Sequence, residues 1–536
     1  MKNKILNIGL ATVAALSLSS CNDWLKEDAP GVNKFEDFYI GGAMGIQTVN
    51  AAYVPLAWEF NDTYFSEWFF GDIASDDALK GGQGVADGLD AYDIDNYKVN
   101  PSNGIVLDYY RAKYQGIARA NLALREVEKL EPDAEMSAER KTCLLGEAYF
   151  LRGLYYFQLV RLFGGVPLIT EVIESSDRWQ QKRASADEVY AQIVSDFENA
   201  EKMLWNKSKF PMDDLGRATK GAAQAMLCKA YLYNHDYENA YKWGKKWVDE
   251  QYRAGEYKLN QRYFDNFMEA SENGPESIFE VQYIIEETSD YGVGFGSTRG
   301  TFTTILCRQR GTSMGSDAGW GWNHPTRNLY NEFEQGDPRR DYTIGVPSDQ
   351  DLENIEVTYL GSPYFNLKNA YYDWDTRSYP ALKHASRSPK NYTVMRAADA
   401  LLLYAEAALE AGKSATEVKW ALEEVRSRAR ANAADPSTAL PEFPAYNGYS
   451  DNTDDLRRAL RHERRVELAM EGHRWFDLVR WGIAYDVLDK DNGSYPRTES
   501  AEARAEMANF IKGKCELMPI PFEELHLNAM EQNPGY

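Results

Sequence analysis

Between residues 106 and 250, apolar side chains recur at helical spacing almost without a break, and this run limits the fold more than any other feature of the chain. One helical stretch covers 109–130. A second follows Ser137 through Leu144, Ala148, Leu151, Tyr155, Leu159 and Leu162, and Gly164-Gly165-Val166-Pro167 closes it. Ser185-x-x-Glu188 is a capping box ahead of Val189, Tyr190, Ile193, Val194 and Phe197. The pair 220–233 and 237–250 has tetratricopeptide spacing: Leu227, Tyr231 four residues on, Ala240 nine further, and a turn at Asn234-His235-Asp236. A looser pair occupies 396–410 and 415–431. The pattern predicts a mainly α scaffold of about four tetratricopeptide-like helix hairpins, one of them interrupted.

The interruption lies at 255–392, where Gly, Tyr, Trp, Asn and Asp rise, helical periodicity fades and strand-like pieces such as 277–285 appear. A second irregular, aromatic stretch covers 53–104. Loops this long in a compact protein are functional or disordered, and these are too aromatic for disorder. The chain has 35 Tyr, 13 Trp and 22 Phe, 13% of its residues, an excess that supplies rings for contact surface as well as core. The expected organisation is one domain over 21–536. Its helical scaffold lies at 106–250 and 393–485, and its loop-rich face at 53–104 and 255–392.

From 453 to 482 runs a dense charged helix in which Arg464 and Glu467, Glu471 and Arg474, and Asp477 and Arg480 stand three apart. With Leu468, Trp475, Phe476 and Leu478 interleaved, these read as ion pairs partly buried in a helix–helix seam.

The N-terminus has the layout of a secretory signal. Lys2 and Lys4 precede an uncharged, mostly apolar run from Ile5 to Leu18, too short for the ~20 residues that span a bilayer. Leu18-Ser19-Ser20-Cys21 then matches a lipoprotein processing box, with Cys21 as the acylated residue and 1–20 as the signal peptide. The longest later apolar run, Leu401 to Ala411, carries Glu406 and Glu410 and reads as a core helix. Membrane attachment is therefore expected through lipid alone.

The formal charge of −23 sets nucleic-acid binding aside, since that class needs a basic footprint. Five widely spaced cysteines form no CxxC pair, and Cys143 and Cys228 sit in apolar helical contexts as small hydrophobes. Gly412-Lys413-Ser414 lacks the first glycine of a phosphate loop, and Asp489-x-Asp491-x-Gly493 is out of register for a calcium loop. No metal or cofactor is expected. The 82 acidic residues leave a glycosidase-type carboxylate pair open, because its spacing cannot be read from sequence.

Several stretches together resemble the SusD/RagB family of outer-membrane nutrient-binding lipoproteins. They are Cys21-x-Asp23-x-Leu25, the run from Glu147 to Pro167, Arg396 to Ala407, Arg464 to Gly482, and the ending Pro519-Ile-Pro521 with Gln532 to Tyr536. The resemblance implies a non-enzymatic surface protein that binds an oligosaccharide or polysaccharide, less often a peptide, on its irregular face. It also implies a partner, a TonB-dependent SusC-like β-barrel transporter, at the outer membrane and facing the cell exterior. A lipid-anchored glycoside hydrolase is the alternative from another class.

Sugar recognition needs flat aromatic faces and a few planar polar groups on loops held by a rigid scaffold. Arg308 to Pro325 qualifies first, with Trp320, Trp322 and Asn323 in a Gly-flanked loop. By resemblance either Trp320 or Trp322 is the stacking residue. Tyr291 stands where similar proteins place a stacking tyrosine. The segment 71–80 offers Asp76, Asp77 and Lys80 in a region from which the family often draws contacts. Arg308, Tyr372 and Trp374 complete the candidates.

Overall fold

The structure, a computed structural model, describes residues 39–284, 299–310, 319–346, 359–370, 388–443, 448–489, 499–506 and 509–536. It is mostly helical, as the periodicity predicts. Helix α1 (Gly42–Tyr53) leads to α2 (Gly104–Lys129) and α3 (Ala138–Phe163), followed by α4 (Ala186–Met203), α5 (Lys220–Tyr233) and α6 (Tyr237–Trp247). Each packs on the next. After the loop-rich segment and the short α7 (Thr303–Cys307), the scaffold resumes with α8 (Ala397–Glu410), α9 (Ala415–Ala431), α10 (Thr453–Leu468) and α11 (Arg474–Arg480). Helix α8 lies against α5, α6, α9 and α10, so the late helices continue the early stack.

Local chemistry sets the boundaries. The side chains of Asn103, Ser137 and Thr219 accept from the amides of Val106, Arg140 and Ala222, satisfying donors that a helix start leaves without partners. Ser185 and Glu188 form the reciprocal capping box. Helix α3 is buried nearly all round because α2 covers one side and α4 the other. At the α2–α3 crossing a Cβ on Gly116 would lie 2.2 Å from the Tyr155 ring, so only glycine permits that approach. Cys143, Cys228, Cys307 and Cys515 are buried free thiols.

Three two-stranded antiparallel sheets staple the irregular segments to this stack. Strand β1 (Ala78–Gly81) pairs with β3 (Trp322–Pro325), β2 (Ser277–Val281) with β6 (Tyr392–Arg396), and β4 (Ile344–Gly345) with β5 (Phe365–Asn366). In the first, Gly81 lies opposite Trp322 and Ala78 opposite Pro325, which joins the two stretches read as the loop-rich face. Strand β6 runs directly into α8, so the β2–β6 pair ties that face to the scaffold.

The charged helix lies deeper in the protein than its sequence implies, and two of the three expected pairs do not form. Asp477 does bond Arg480. Arg464 instead reaches Asp399 at 2.9 Å and Asp477 at 3.0 Å. Glu467, fully buried, accepts from Arg396, Arg428 and Arg339 at 2.6, 2.5 and 3.0 Å. Glu471 pairs with Lys368 and Arg396, and Arg474 with Asp76. Spacing of three along one helix permits a pair, but interior acids and bases choose the partner that also removes them from water. Burial without a partner costs several kcal/mol per charge.

Among the described residues no helix is long and apolar enough to cross a membrane. Cys21 lies outside the described residues.

Candidate functional site

The Trp320–Trp322 segment is positioned from both sides. Gly319, Trp320 and Gly321 donate backbone N–H groups to the carbonyls of Gln309, Ile305 and Arg308, folding the chain back on α7. A Cβ on Gly319 would meet the Arg308 Cβ at 2.2 Å, so the return is tight. On the other side Gly82 donates to the Gly321 carbonyl and β1 pairs with β3.

This packing separates the two tryptophans. Trp322 is only 4% exposed. Its indole N–H donates to Asp87 Oδ2 at 3.2 Å, and Lys80 Nζ sits 4.7 Å from its ring centroid. The turn after β1 wraps around it: Cβ atoms on Gly82 and Gly88, both at positive φ, would lie 2.8 and 2.6 Å from the indole. Trp322 is therefore the floor of the face. Trp320 stays half-buried above it, with ring centroids 5.9 Å apart at 67°.

Tyr64 supplies the second half-buried ring, 5.2 Å from Trp320 and nearly perpendicular to it at 88°. It packs on Phe60 and Phe302, and Glu59 fixes this corner. The Glu59 carboxylate accepts from Tyr283 Oη, Thr301 Oγ1, Thr303 Oγ1 and the Phe302 amide, all within 3.1 Å. Burial raises its pKa, and those four donors oppose the rise. Two aromatic faces at right angles on a locked base, with the polar groups of Gln83 and Asp87 on the adjoining turn, can stack a sugar ring and bond its hydroxyls.

Other candidates fall elsewhere. Asp76 and Asp77 are at most 1% exposed. Asp76 accepts from Arg474 at 2.7 and 2.9 Å and from Arg465 at 2.9 Å, while Asp77 accepts from Arg465 at 2.8 Å. The expectation that they meet a ligand is corrected: they clamp the segment 71–81 to α10 and α11. The two arginines hold the Asp76 carboxyl down at about 2. Lys80 is likewise corrected. It is fully buried, donates to the carbonyls of Gly84 and Asp87, and burial pulls its pKa down to about 8. Asn323 is buried at φ +54° and donates to Asp72 Oδ2 at 3.1 Å, so it supports the strand rather than facing out. Arg308 is buried beneath the turn. Tyr291, Tyr372 and Trp374 lie outside the described residues.

Asp72 anchors this support. It bonds Asn323 and the Gly472 amide, and burial pushes its pKa up to about 7 against both bonds, with Asp77 nearby adding to the rise. The sequence singled out none of Tyr64, Asp87 and Glu59. Only the aromatic texture of 53–104 pointed toward the first. Among the described residues no cluster of three or more His, Cys, Asp and Glu side chains is placed to hold a metal.

Over residues 223–536 the chain matches the SusD family, and over 61–232 it matches a family described as starch-binding and associating with the outer membrane. It is 26% identical to SusD-like protein P2 of Formosa agariphila across 98% of both chains. A SusD-like protein of Bacteroides ovatus is 24% identical over 90% of this chain and 83% of its own. Among solved structures, a laminarin-binding SusD-like protein is 29% identical, with a TM-score of 0.76 over 93% of this chain and 100% of that one. Surface glycan-binding protein A from Bacteroides fluxus has the same fold, at 23% identity and a TM-score of 0.77 over the same shares.

Proposed function

The chain belongs to the SusD family, and from that premise we propose that it is an outer-membrane lipoprotein that captures an oligosaccharide or polysaccharide on the Trp320–Tyr64 face. The observation that carries this reading is the pair of half-buried, perpendicular rings held on the base that Glu59 and Trp322 lock. Such a pair grips the apolar C–H faces of a pyranose and leaves its hydroxyls to the amide and carboxylate of the neighbouring turn. The 29%-identical relative that binds laminarin makes laminarin the first ligand to try.

The face holds its ligand without transforming it, its polar groups serving as hydrogen-bond partners. The lipid on Cys21 tethers the protein at the outer membrane with its face to the exterior. There it passes the glycan to a TonB-dependent SusC-like transporter, because a tethered binder with no membrane-spanning helix among its described residues needs a separate protein to move the ligand inward. Isothermal titration of the purified protein with laminarin and a panel of other glycans and peptides tests the ligand class. Saturable glycan binding that Trp320→Ala weakens at least a hundredfold supports the reading. Binding confined to peptides, or release of new reducing ends, overturns it. Recovery of a β-barrel transporter with the tagged protein from detergent-extracted native membranes tests the partner, and repeated recovery of the lipoprotein alone counts against it.

A further inference from the structure

A large concave surface lies away from the Trp320 face and shares no lining residue with it. It is a cleft of about 1270 Å³ between the C-terminal half of α9 and the segments 258–264 and 341–342. Phe264 and Tyr342 form one wall, stacked with ring centroids 5.0 Å apart at 29°. Tyr342 is 36% exposed, so its ring borders the cleft. Tyr252 also lines the cleft, tied by its hydroxyl to one oxygen of Glu424 at 2.9 Å.

The polar lining separates into two groups. Asn432, Arg262 and Arg428 are consumed by bonds within the protein: Asn432 to the Gln261 carbonyl, Arg262 to Asp265, Arg428 to Glu276 and Glu467. Among the described residues the Gln261 amide, the Lys258 ammonium and the second Glu424 oxygen have no such bond. One neutral donor–acceptor, one cation and one anion thus point at a shared space beside an aromatic wall. A phosphate or acidic peptide would meet the carboxylates of Glu424 and Asp341, and a cation would meet Lys258. A neutral polyhydroxyl chain uses all three groups and stacks on the rings.

We propose that this cleft is a second glycan subsite, on which a polysaccharide already held at Trp320 is gripped again. The proposal rests on the glycan-binding reading above. Two sites on one body convert the second contact into an intramolecular one, so a polymer gains far more affinity than a short oligosaccharide does.

The test places a reporter in the cleft of the full protein. In a Trp320→Ala background, Tyr342→Trp is titrated with laminarihexaose and the change in its fluorescence is followed. A saturable change is expected, and it is lost on adding Gln261→Ala. Separately, Tyr342→Ala with Gln261→Ala is expected to weaken laminarin binding at least tenfold while laminarihexaose at the Trp320 face keeps its affinity within twofold. Both side chains are exposed, so the melting temperature stays at the wild-type value and reports that the variant is folded. A silent Tyr342→Trp reporter, together with unchanged laminarin affinity in the double variant, overturns the subsite while leaving the first site standing. A wild-type protein that binds neither laminarin nor laminarihexaose overturns the subsite through its premise instead.

Discussion

Replacing Asp76 with alanine separates a structural carboxylate from a ligand-binding one. Asp76 is 1% exposed and receives three charge-assisted bonds, at 2.7 and 2.9 Å from Arg474 and 2.9 Å from Arg465. Arg465 keeps Asp77 and Glu332 when Asp76 is removed, whereas Arg474 keeps no other ion pair among the described residues and feels Asp77 and Glu332 only at longer range. The variant therefore leaves one nearly buried guanidinium without a bonded acid, which costs up to about 3–5 kcal/mol. Urea denaturation at pH 7 measures that loss. The folded carboxyl titrates at about 2 against an ordinary 3.8, so its contribution is full above about pH 4 and disappears as pH falls toward 2. The gap between wild type and variant should narrow by about 2 kcal/mol over that window. Arg474→Met added to Asp76→Ala should recover part of the stability, because the stranded charge goes with it. A variant as stable as wild type within about 0.5 kcal/mol, but defective in glycan binding, would falsify the clamp and return Asp76 to the ligand.

Three further outcomes are expected. Asp72 titrates at about 7 in the folded protein, so the fold favours its protonated form and its ionisation erodes stability as pH rises from about 4 to 7, by about 4 kcal/mol in all. Asp72→Asn should flatten that slope in urea titrations at stepped pH, and an unchanged slope refutes the assignment. Glu467→Ala takes one acid from Arg396, Arg428 and Arg339, each of which keeps another in Glu276, Glu471, Asp337 or Glu463. It should destabilise by about 2–3 kcal/mol through the lost charge-assisted bonds, read by the same titration. Gly88→Ala pushes a Cβ into the Trp322 ring at positive φ, and should weaken glycan binding more than it lowers the melting temperature, because the strain falls on the turn beneath Trp320.

The scaffold was legible because its information is local. Helical period, the Ser185–Glu188 box and the Asn234–Asp236 turn each depend on residues within a few positions of one another, and all three stand as read. The ionic interior was not legible, since Glu467 finds Arg339 and Arg396 from segments 128 and 71 residues away. The site was half legible. Two tryptophans in a glycine-flanked loop marked the segment proposed as the face, but which of them is the less buried depends on the β1–β3 register, and that pairing joins residues more than 240 apart. Asp76, Asp77 and Lys80 look exposed in a polar loop and are buried. Their partners Arg465 and Arg474, and the Asp87 turn, close over them only in three dimensions.

Calorimetric titration of laminarin into wild type, Trp320→Ala and Asp76→Asn in parallel, with melting temperatures recorded for each, bears most directly on the identity of the binding face. Trp320→Ala should lose binding at least a hundredfold with its melting temperature nearly unchanged, while Asp76→Asn should melt earlier and, below its transition, bind as wild type. Laminarin affinity within tenfold of wild type in Trp320→Ala, or binding that fails in folded Asp76→Asn, would contradict the assignment of the face.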